Sequence, residues 1–259
     1  MRALARLKPA ARGTPAAAGA RPAPGRGLVS LLKGTGAVRR IALFGGTFDP
    51  IHAGHLAVAR AAERRFGLHQ IYFIPTGRPP HKQRAGMAPF ADRYAMVALS
   101  CADHPRFSTS LVEAGADRSG RDVCYSVDTV RHFKQKFRGK NVHLYFLLGA
   151  DSFLQFRTWK DYLKLLGMCD FIVASRPGFR VDALRRVIPP TLIPPRAPIR
   201  NSAGLRAIQL RHTTVYLLDT VASDVSATQV RGKIAAGESI RGLVPPRVEE
   251  YITKRALYR

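Results

Sequence analysis

The residues Gly45-Gly46-Thr47-Phe48-Asp49-Pro50-Ile51-His52-Ala53-Gly54-His55-Leu56 combine the types from which phosphate chemistry is built. Paired glycines let a backbone approach a ligand closely, and the N–H groups of a loop that opens a helix face an anion with the favourable end of the helix dipole. His52 and His55, three apart around Gly54, are aimed at one place near that helix start. Two ring donors beside an anion cradle suit transfer at a phosphorus atom, where charge grows on the non-bridging and leaving oxygens. A zinc site is the competing reading of a His pair, but it needs three or four ligands and no further Cys or His cluster supplies them.

Two more segments carry charge or donors of the same kind. Ser226-Ala227-Thr228-Gln229-Val230-Arg231 begins with a capping residue and ends with a guanidinium that can fork onto phosphate oxygens. Pro75-Thr76-Gly77-Arg78-Pro79-Pro80-His81-Lys82 places Lys82, a flexible point charge, on a loop whose prolines restrict the backbone.

The elements that must position these groups follow from periodicity. Short apolar runs at Ile41–Phe44, Gln70–Pro75, Val142–Leu148, Phe171–Ala174 and Thr214–Leu218 read as strands. Helical patterns occupy His55–Phe66, Phe90–Ser100, Ser126–Phe137 and Ser226–Ala236, the last stopping at Gly237. Strands separated by helices pair in parallel through right-handed crossovers, so the expected fold is a doubly wound α/β, Rossmann-like parallel sheet with helices on both faces. Ligands of such sheets sit beyond the carboxyl ends of the strands, where the strand order reverses. The glycine loop follows the first strand and the Pro75–Lys82 loop the second. The Pro-rich stretch Ile188–Pro198 is expected to be a surface turn or loop.

Composition narrows the field further. The chain has 259 residues and a formal charge of +25, which alone would suggest a nucleic-acid partner. Nine of its Lys and Arg residues, and no Asp or Glu, fall within residues 1–40, and the body that remains is still basic. Such a field also concentrates anionic phosphate substrates, so nucleic acid is not the expected partner. Residues 1–38, rich in Ala, Arg, Pro and Gly, lack apolar periodicity and are expected to be a disordered leader or the product of an early start codon, with residues 39–259 forming the working domain. No apolar run reaches the roughly 18 residues a membrane span needs. Cys101, Cys124 and Cys169 stand far apart without a CxxC pair, as expected of inert thiols in a reducing cytoplasm.

Taken together, the segments resemble one known family. GGTFDPIHAGHL after a strand is similar to the signature of the HxGH nucleotidyltransferase superfamily, and Ser226–Arg231 resembles its second motif, ISSTxIR, with Ala227 in place of the second Ser. Residues 75–82 resemble the PTGxPPHK segment of the bacterial nicotinate mononucleotide adenylyltransferases. Asp92-Arg93 with Met96 resembles their DRxxM helix, although a half-buried amphipathic helix explains it equally well. Tyr125-Ser126-Val127-Asp128-Thr129 resembles YTxDT with Ser126 in place of the first Thr. Gly149-Ala150-Asp151-Ser152 with Trp159 resembles GADS…W, and Arg176-Pro177-Gly178 the RPG after a strand. The resemblance spans nearly all of residues 40–258.

It implies that ATP is bound by Gly45, Gly46, Thr47, Phe48, His52, His55, Ser226, Thr228 and Arg231, with His52, His55, Lys82 and Arg231 serving catalysis. It further implies that Thr76, Lys82, Tyr125, Ser126, Asp151, Trp159 and Arg176 receive nicotinate mononucleotide, that Mg²⁺ is carried in with ATP, and that deamido-NAD is the product. Pantetheine-phosphate adenylyltransferases and cytidylyltransferases share HxGH, but PTGxPPHK and GADS…W do not generally accompany it there. A nucleic-acid-binding role through the leader is the alternative from a different class. Oligomeric state and the strictness of acceptor choice stay open at this level.

Overall fold

The apolar run Ile41–Phe44 is fully buried and becomes the middle of strand β1, Arg39–Gly46. The computed structural model describes residues 37–77, 86–115, 125–176, 178–195, 205–219 and 224–259. Lys82 with the rest of residues 78–85, Cys124, Pro177 and the leader through residue 36 lie outside the described residues. After β1 come helix α1 (Ala53–Phe66), β2 (Gln70–Pro75), α2 (Phe90–Cys101), β3 (Phe107–Thr109), α3 (Ser126–Lys136) and β4 (Val142–Gly149). The chain continues through α4 (Ala150–Leu154), α5 (Tyr162–Leu166), β5 (Asp170–Ala174), α6 (Val181–Arg185), β6 (Ala207–Gln209), β7 (Thr214–Leu218), α7 (Ala227–Ala235) and α8 (Pro246–Lys254).

The strands form one sheet in the order β3-β2-β1-β4-β5-β7-β6, parallel throughout except where β6 meets β7. In register, Leu43 of β1 lies between Tyr72 of β2 and Phe146 of β4. Alternation along β1 sends Ala42 and Phe44 into one layer, shared with Leu56 of α1, Met96 of α2, Val230 of α7 and Ile252 of α8. Leu43 points into the opposite layer, with Phe133 of α3, Phe153 of α4 and Leu165 of α5. The sheet is therefore covered on both faces, which is why its central strands read as continuous apolar runs rather than as alternating ones.

The doubly wound architecture agrees with the sequence reading, and the differences lie at the margins. α1 begins at Ala53, two residues before the expected start, because His52 is already its N-cap. β6 is an unforeseen antiparallel edge strand. Only residues 210–213 separate it from β7, and a link that short can only return the chain alongside itself. α8 was also missed, although Pro246 at its first turn and Val248 and Ile252 one turn apart are the ordinary signals of a helix. Ile188 departs from the surface-loop expectation. It is 1% exposed and belongs to the core layer under α6, and a short 3-10 turn at Pro190–Leu192 follows it.

The chain leaves β1 toward β2 and β3, then returns to place β4 on the other side of β1. The loops after β1 and β4 consequently diverge and leave a crevice between them.

Candidate active site

That crevice is a cleft of about 800 Å³ lined by the Gly45–Asp49 loop after β1, Gly149–Ser152 after β4, Ala174–Arg176 after β5, the start of α1 and the start of α7. Four strand ends and two helix starts thus converge on one space, as expected of an anion site in a doubly wound sheet.

Close packing shapes the glycine loop. A Cβ on Gly46 would come within 2.9 Å of the Phe48 ring, and one on Gly45 within 3.2 Å of Phe146, so both positions require the missing side chain. Phe48 holds a left-handed backbone, φ 49°, with its ring 2% exposed against Phe44, Phe73 and His55. Phe48 therefore faces the cleft mainly through its backbone. Asp49 is buried as well, and its Oδ1 accepts from the Ala88 N–H at 3.1 Å and from the Tyr258 hydroxyl at 2.8 Å.

At the mouth of α1 the two imidazoles lie against each other, ring centroids 3.8 Å apart at 36°. The backbone N–H of His52 donates to Nδ1 of His55 at 3.3 Å, which leaves the proton of a neutral His55 ring on Nε2. Burial pushes the His52 pKa down to about 4. Burial and then the neighbouring His52 hold His55 well below the usual imidazole range. Near neutral pH both rings are uncharged donors, suited to charge that appears only during reaction.

Arg231 of α7 crosses to this loop. Its Nη1 donates to the Asp49 carbonyl at 2.7 Å and its Nη2 to the Thr228 hydroxyl at 3.1 Å, which fixes the guanidinium at the cleft wall. The Ser226 hydroxyl accepts from the Gln229 N–H at 3.2 Å, the expected N-cap, and is thereby spent on the helix rather than on the cleft lining. Ala227 does line the cleft, so the substituted motif position faces the space where a ligand would sit.

Of the residues singled out in the sequence, Gly45, Gly46, Thr47, Phe48, His52, His55, Asp151, Arg176, Thr228 and Arg231 share this one cleft. Asp151 sits exposed in the first turn of α4, and Arg176 lies 4.0 Å from Asp224 with both side chains largely in solvent. Thr76, Tyr125, Ser126 and Trp159 stand outside the cleft lining. Thr76 adjoins it through its N–H, which donates to the Gly46 carbonyl at 2.9 Å. Trp159 is half-buried, its ring 4.8 Å from Phe156 and edge-on to Phe146 at 6.2 Å, while Lys160 Nζ lies 4.4 Å over the Tyr125 ring. Phe146 thus separates Gly45 on one side from Trp159 on the other.

Sequence reasoning underrated Arg93 and missed Asp49, Glu113 and Tyr258. Arg93 is 2% exposed and donates to three backbone carbonyls, Thr47 at 2.7 Å, Ala88 at 3.0 Å and Gly77 at 3.1 Å. Asp92 beside it accepts from the Tyr251 hydroxyl at 2.8 Å and from Arg255 at 3.2 Å, which ties α2 to α8. An Asp-Arg pair inside an apolar helical pattern was the available signal. Among the described residues no group of three or more His, Cys, Asp or Glu surrounds a point where a metal ion would sit, and no helix is long and apolar enough to cross a membrane.

The geometry can be set beside known proteins. The family model described as cytidylyltransferase-like matches residues 43–233. A protein of Moorella thermoacetica named probable nicotinate-nucleotide adenylyltransferase is 40% identical over 220 residues, covering 85% of this chain and 92% of its own length. One of the same name from Syntrophotalea carbinolica is 39% identical over 220 residues, covering 85% of this chain and 97% of its own. Among solved structures, the Plasmodium falciparum nicotinic acid mononucleotide adenylyltransferase complexed with NaAD shares the fold. Its TM-score is 0.60 at 18% identity, over 85% of this chain and 97% of that one.

Proposed function

The chain belongs to the nicotinate-nucleotide adenylyltransferase family, within the cytidylyltransferase-like group, and from that premise we propose that it transfers the adenylyl group of ATP to nicotinate mononucleotide. The observation that carries the reading is the pair of neutral, stacked imidazoles at the start of α1, set into a cleft at the sheet's switch point and faced by Arg231. In the reaction an oxygen of the mononucleotide 5′-phosphate bonds to the α-phosphorus, the bond from that phosphorus to the bridging oxygen of the β-phosphate breaks, and pyrophosphate leaves as deamido-NAD forms. A phosphate monoester is already ionised near neutral pH, so the protein needs neither a nucleophile nor a general base. It supplies position and charge stabilisation.

In this assignment the Gly45–Phe48 backbone, Thr228 and Arg231 hold the ATP phosphates, with Ser226 ordering the first turn of α7. His52 and His55 donate to oxygens that gain charge at the α-phosphorus. The acceptor is given the side of the cleft toward Phe146, with Trp159 beside the pyridine and Tyr125-Ser126 offering N–H groups to its carboxylate. The Asp128 and Thr129 N–H groups already donate to the Tyr125 carbonyl, so the donors offered are those ahead of them, which helix geometry leaves without an intrahelical acceptor. Thr76, Asp151 and Arg176 complete the acceptor side, and Lys82 is assigned to phosphate on the sequence pattern alone.

Mg²⁺ is proposed to arrive on the triphosphate, whose hard oxygens suit it and whose charge it offsets. The protein's own carboxylates do not form a cage for it, since Asp49 is engaged by Ala88 and Tyr258. We further assign the activity to residues 39–259, inside the compact unit Ala37–Arg259, and place it in the cytoplasm, in keeping with the free, buried Cys101 and Cys169.

The test is purified protein with ATP, Mg²⁺ and one acceptor at a time, read as pyrophosphate release. Nicotinate mononucleotide is expected to outperform nicotinamide mononucleotide by at least about tenfold, because an amide NH₂ would face donors with nothing to accept it. Turnover with phosphopantetheine or with CTP, and none with the pyridine mononucleotides, would overturn the assignment.

A further inference from the structure

Three buried polar side chains outside the cleft form a continuous path between its two halves. The path starts at Thr47 in the glycine loop, whose carbonyl accepts from Arg93 Nη1 at 2.7 Å. Arg93 Nη2 donates at 3.1 Å to the carbonyl of Gly77, and Gly77 in turn hydrogen-bonds through its backbone to the Glu113 carboxylate. Glu113 Oε1 accepts from the Thr129 hydroxyl at 2.7 Å, and the Thr129 N–H donates to the Tyr125 carbonyl at 3.1 Å. Arg93, Glu113 and Thr129 are 2%, 6% and 4% exposed. The path ends at the first turn of α3, where the Tyr125-Ser126 N–H groups lie.

Such an arrangement is costly. Burial favours the neutral form of Glu113, opposed by the Thr129 hydroxyl, the Gly77 backbone and the Arg93 charge, in that order. Replacing a buried ion pair by apolar side chains of similar volume is often neutral or stabilising, so stability alone is a weak reason to keep one. Specific position is a better reason. Glu113 is the one side chain that touches both the Gly77 turn, which Arg93 holds to the glycine loop, and the helix that follows Tyr125.

We propose that Glu113 is a positioning residue that, through Thr129 and Gly77, fixes the first turn of α3 at a set distance from the glycine loop and so orients the acceptor's ring end toward the α-phosphorus. This rests on the assignment of Tyr125-Ser126 to the acceptor. Nothing in the path reaches Arg231 or Thr228, so the ATP end is independent of it.

The experiment compares Glu113→Gln, Thr129→Val and Thr129→Ser in the full chain, with KM measured separately for ATP and for nicotinate mononucleotide. Glu113→Gln puts an NH₂ where two donors converge, and Thr129→Val removes one donor while keeping the shape. Each is expected to raise the acceptor KM by roughly tenfold, the scale of one unmade buried hydrogen bond, and to leave the ATP KM within about twofold. Thr129→Ser keeps the hydroxyl and is expected to restore the acceptor KM. A purely structural role would lower the melting temperature and the active fraction without splitting the two constants. If Glu113→Gln fails to fold, the Thr129 pair carries the test alone. Folded variants with both constants near those of the unaltered enzyme, or with the two raised equally, would overturn the proposal. Absence of turnover with any pyridine mononucleotide in the unaltered protein would instead overturn the functional assignment beneath it.

Discussion

The two halves of the site are built by different means. The phosphate half is compact in sequence and rests on backbone. Glycines 45 and 46 admit no side chain, His52 and His55 are placed by one turn of helix, and Arg231 reaches them from a capped helix start. The acceptor half is dispersed. Tyr125, Trp159 and Phe146 come from three elements, meet through ring packing, and depend on buried groups such as Glu113 to hold their spacing. A triphosphate presents oxygens that any array of N–H groups can meet, so local geometry suffices for it. A pyridine ring with one carboxylate must be read by shape and by a donor pattern, which takes contributions from distant parts of the chain.

If that contrast is right, the largest effects belong to the phosphate half and to turnover. His52→Ala and His55→Ala should each lower kcat by roughly 10² to 10³, the usual worth of a donor aimed at developing charge, with KM values changed far less. Steady-state kinetics on folded variants checks this, and unchanged turnover would remove the histidines from the chemistry.

Next is an effect on stability that depends on the same burial. His52 has a folded pKa of about 4, against an ordinary value near 6.5 in the unfolded chain. Between those values the unfolded state binds more protons, so the stabilisation is complete above about pH 6.5 and is lost as the pH falls toward 4. The loss is about 3 kcal/mol from His52 alone. Denaturant unfolding from pH 7.5 down to 4 should show an acid limb that is shallower in His52→Asn. An equally steep limb in that variant would mean the ring is not held neutral by the fold.

Smaller effects separate the halves more finely. Arg231→Ala should raise the ATP KM by about tenfold through lost charge-assisted bonds, with the acceptor constant little moved. If the acceptor constant alone rose, the division of the cleft would be wrong. Ser126→Ala should change acceptor preference by less than about twofold, because the contact is assigned to backbone N–H groups that survive the substitution. A large loss of preference would show that the hydroxyl, not the backbone, reads the carboxylate.

The same contrast explains what was legible beforehand. The glycine loop, the His pair and the capped α7 announce themselves within a dozen residues each, since their function follows from backbone conformation and helical spacing. The long strands were legible because both faces are buried. Three-residue strands such as Phe107–Thr109 and five-residue helices such as Val181–Arg185 are shorter than one period of any pattern and take their form from neighbours. Arg93 could be noticed but not interpreted, because its three acceptors lie 5, 16 and 46 residues away. Glu113 gave no sign at all, since a lone Glu in a polar loop reads as solvated until Thr129 is seen beside it.

One contact at the phosphate loop also sets an order of events. Asp49 is held through its carbonyl by Arg231, 182 residues later, and through its carboxylate by Tyr258, 209 residues later. A ribosome adding about 5–20 residues per second would need roughly ten to forty seconds to travel from the loop to its last partner. For all that time the nascent chain carries the glycines and both histidines but not the groups that hold Asp49 in place. A chain stopped before residue 258 can therefore lay down β1 and α1, yet the loop between them has no finished frame. The nucleotide site is assembled only as synthesis reaches Tyr258, although its first residues are among the earliest of the fold to be made.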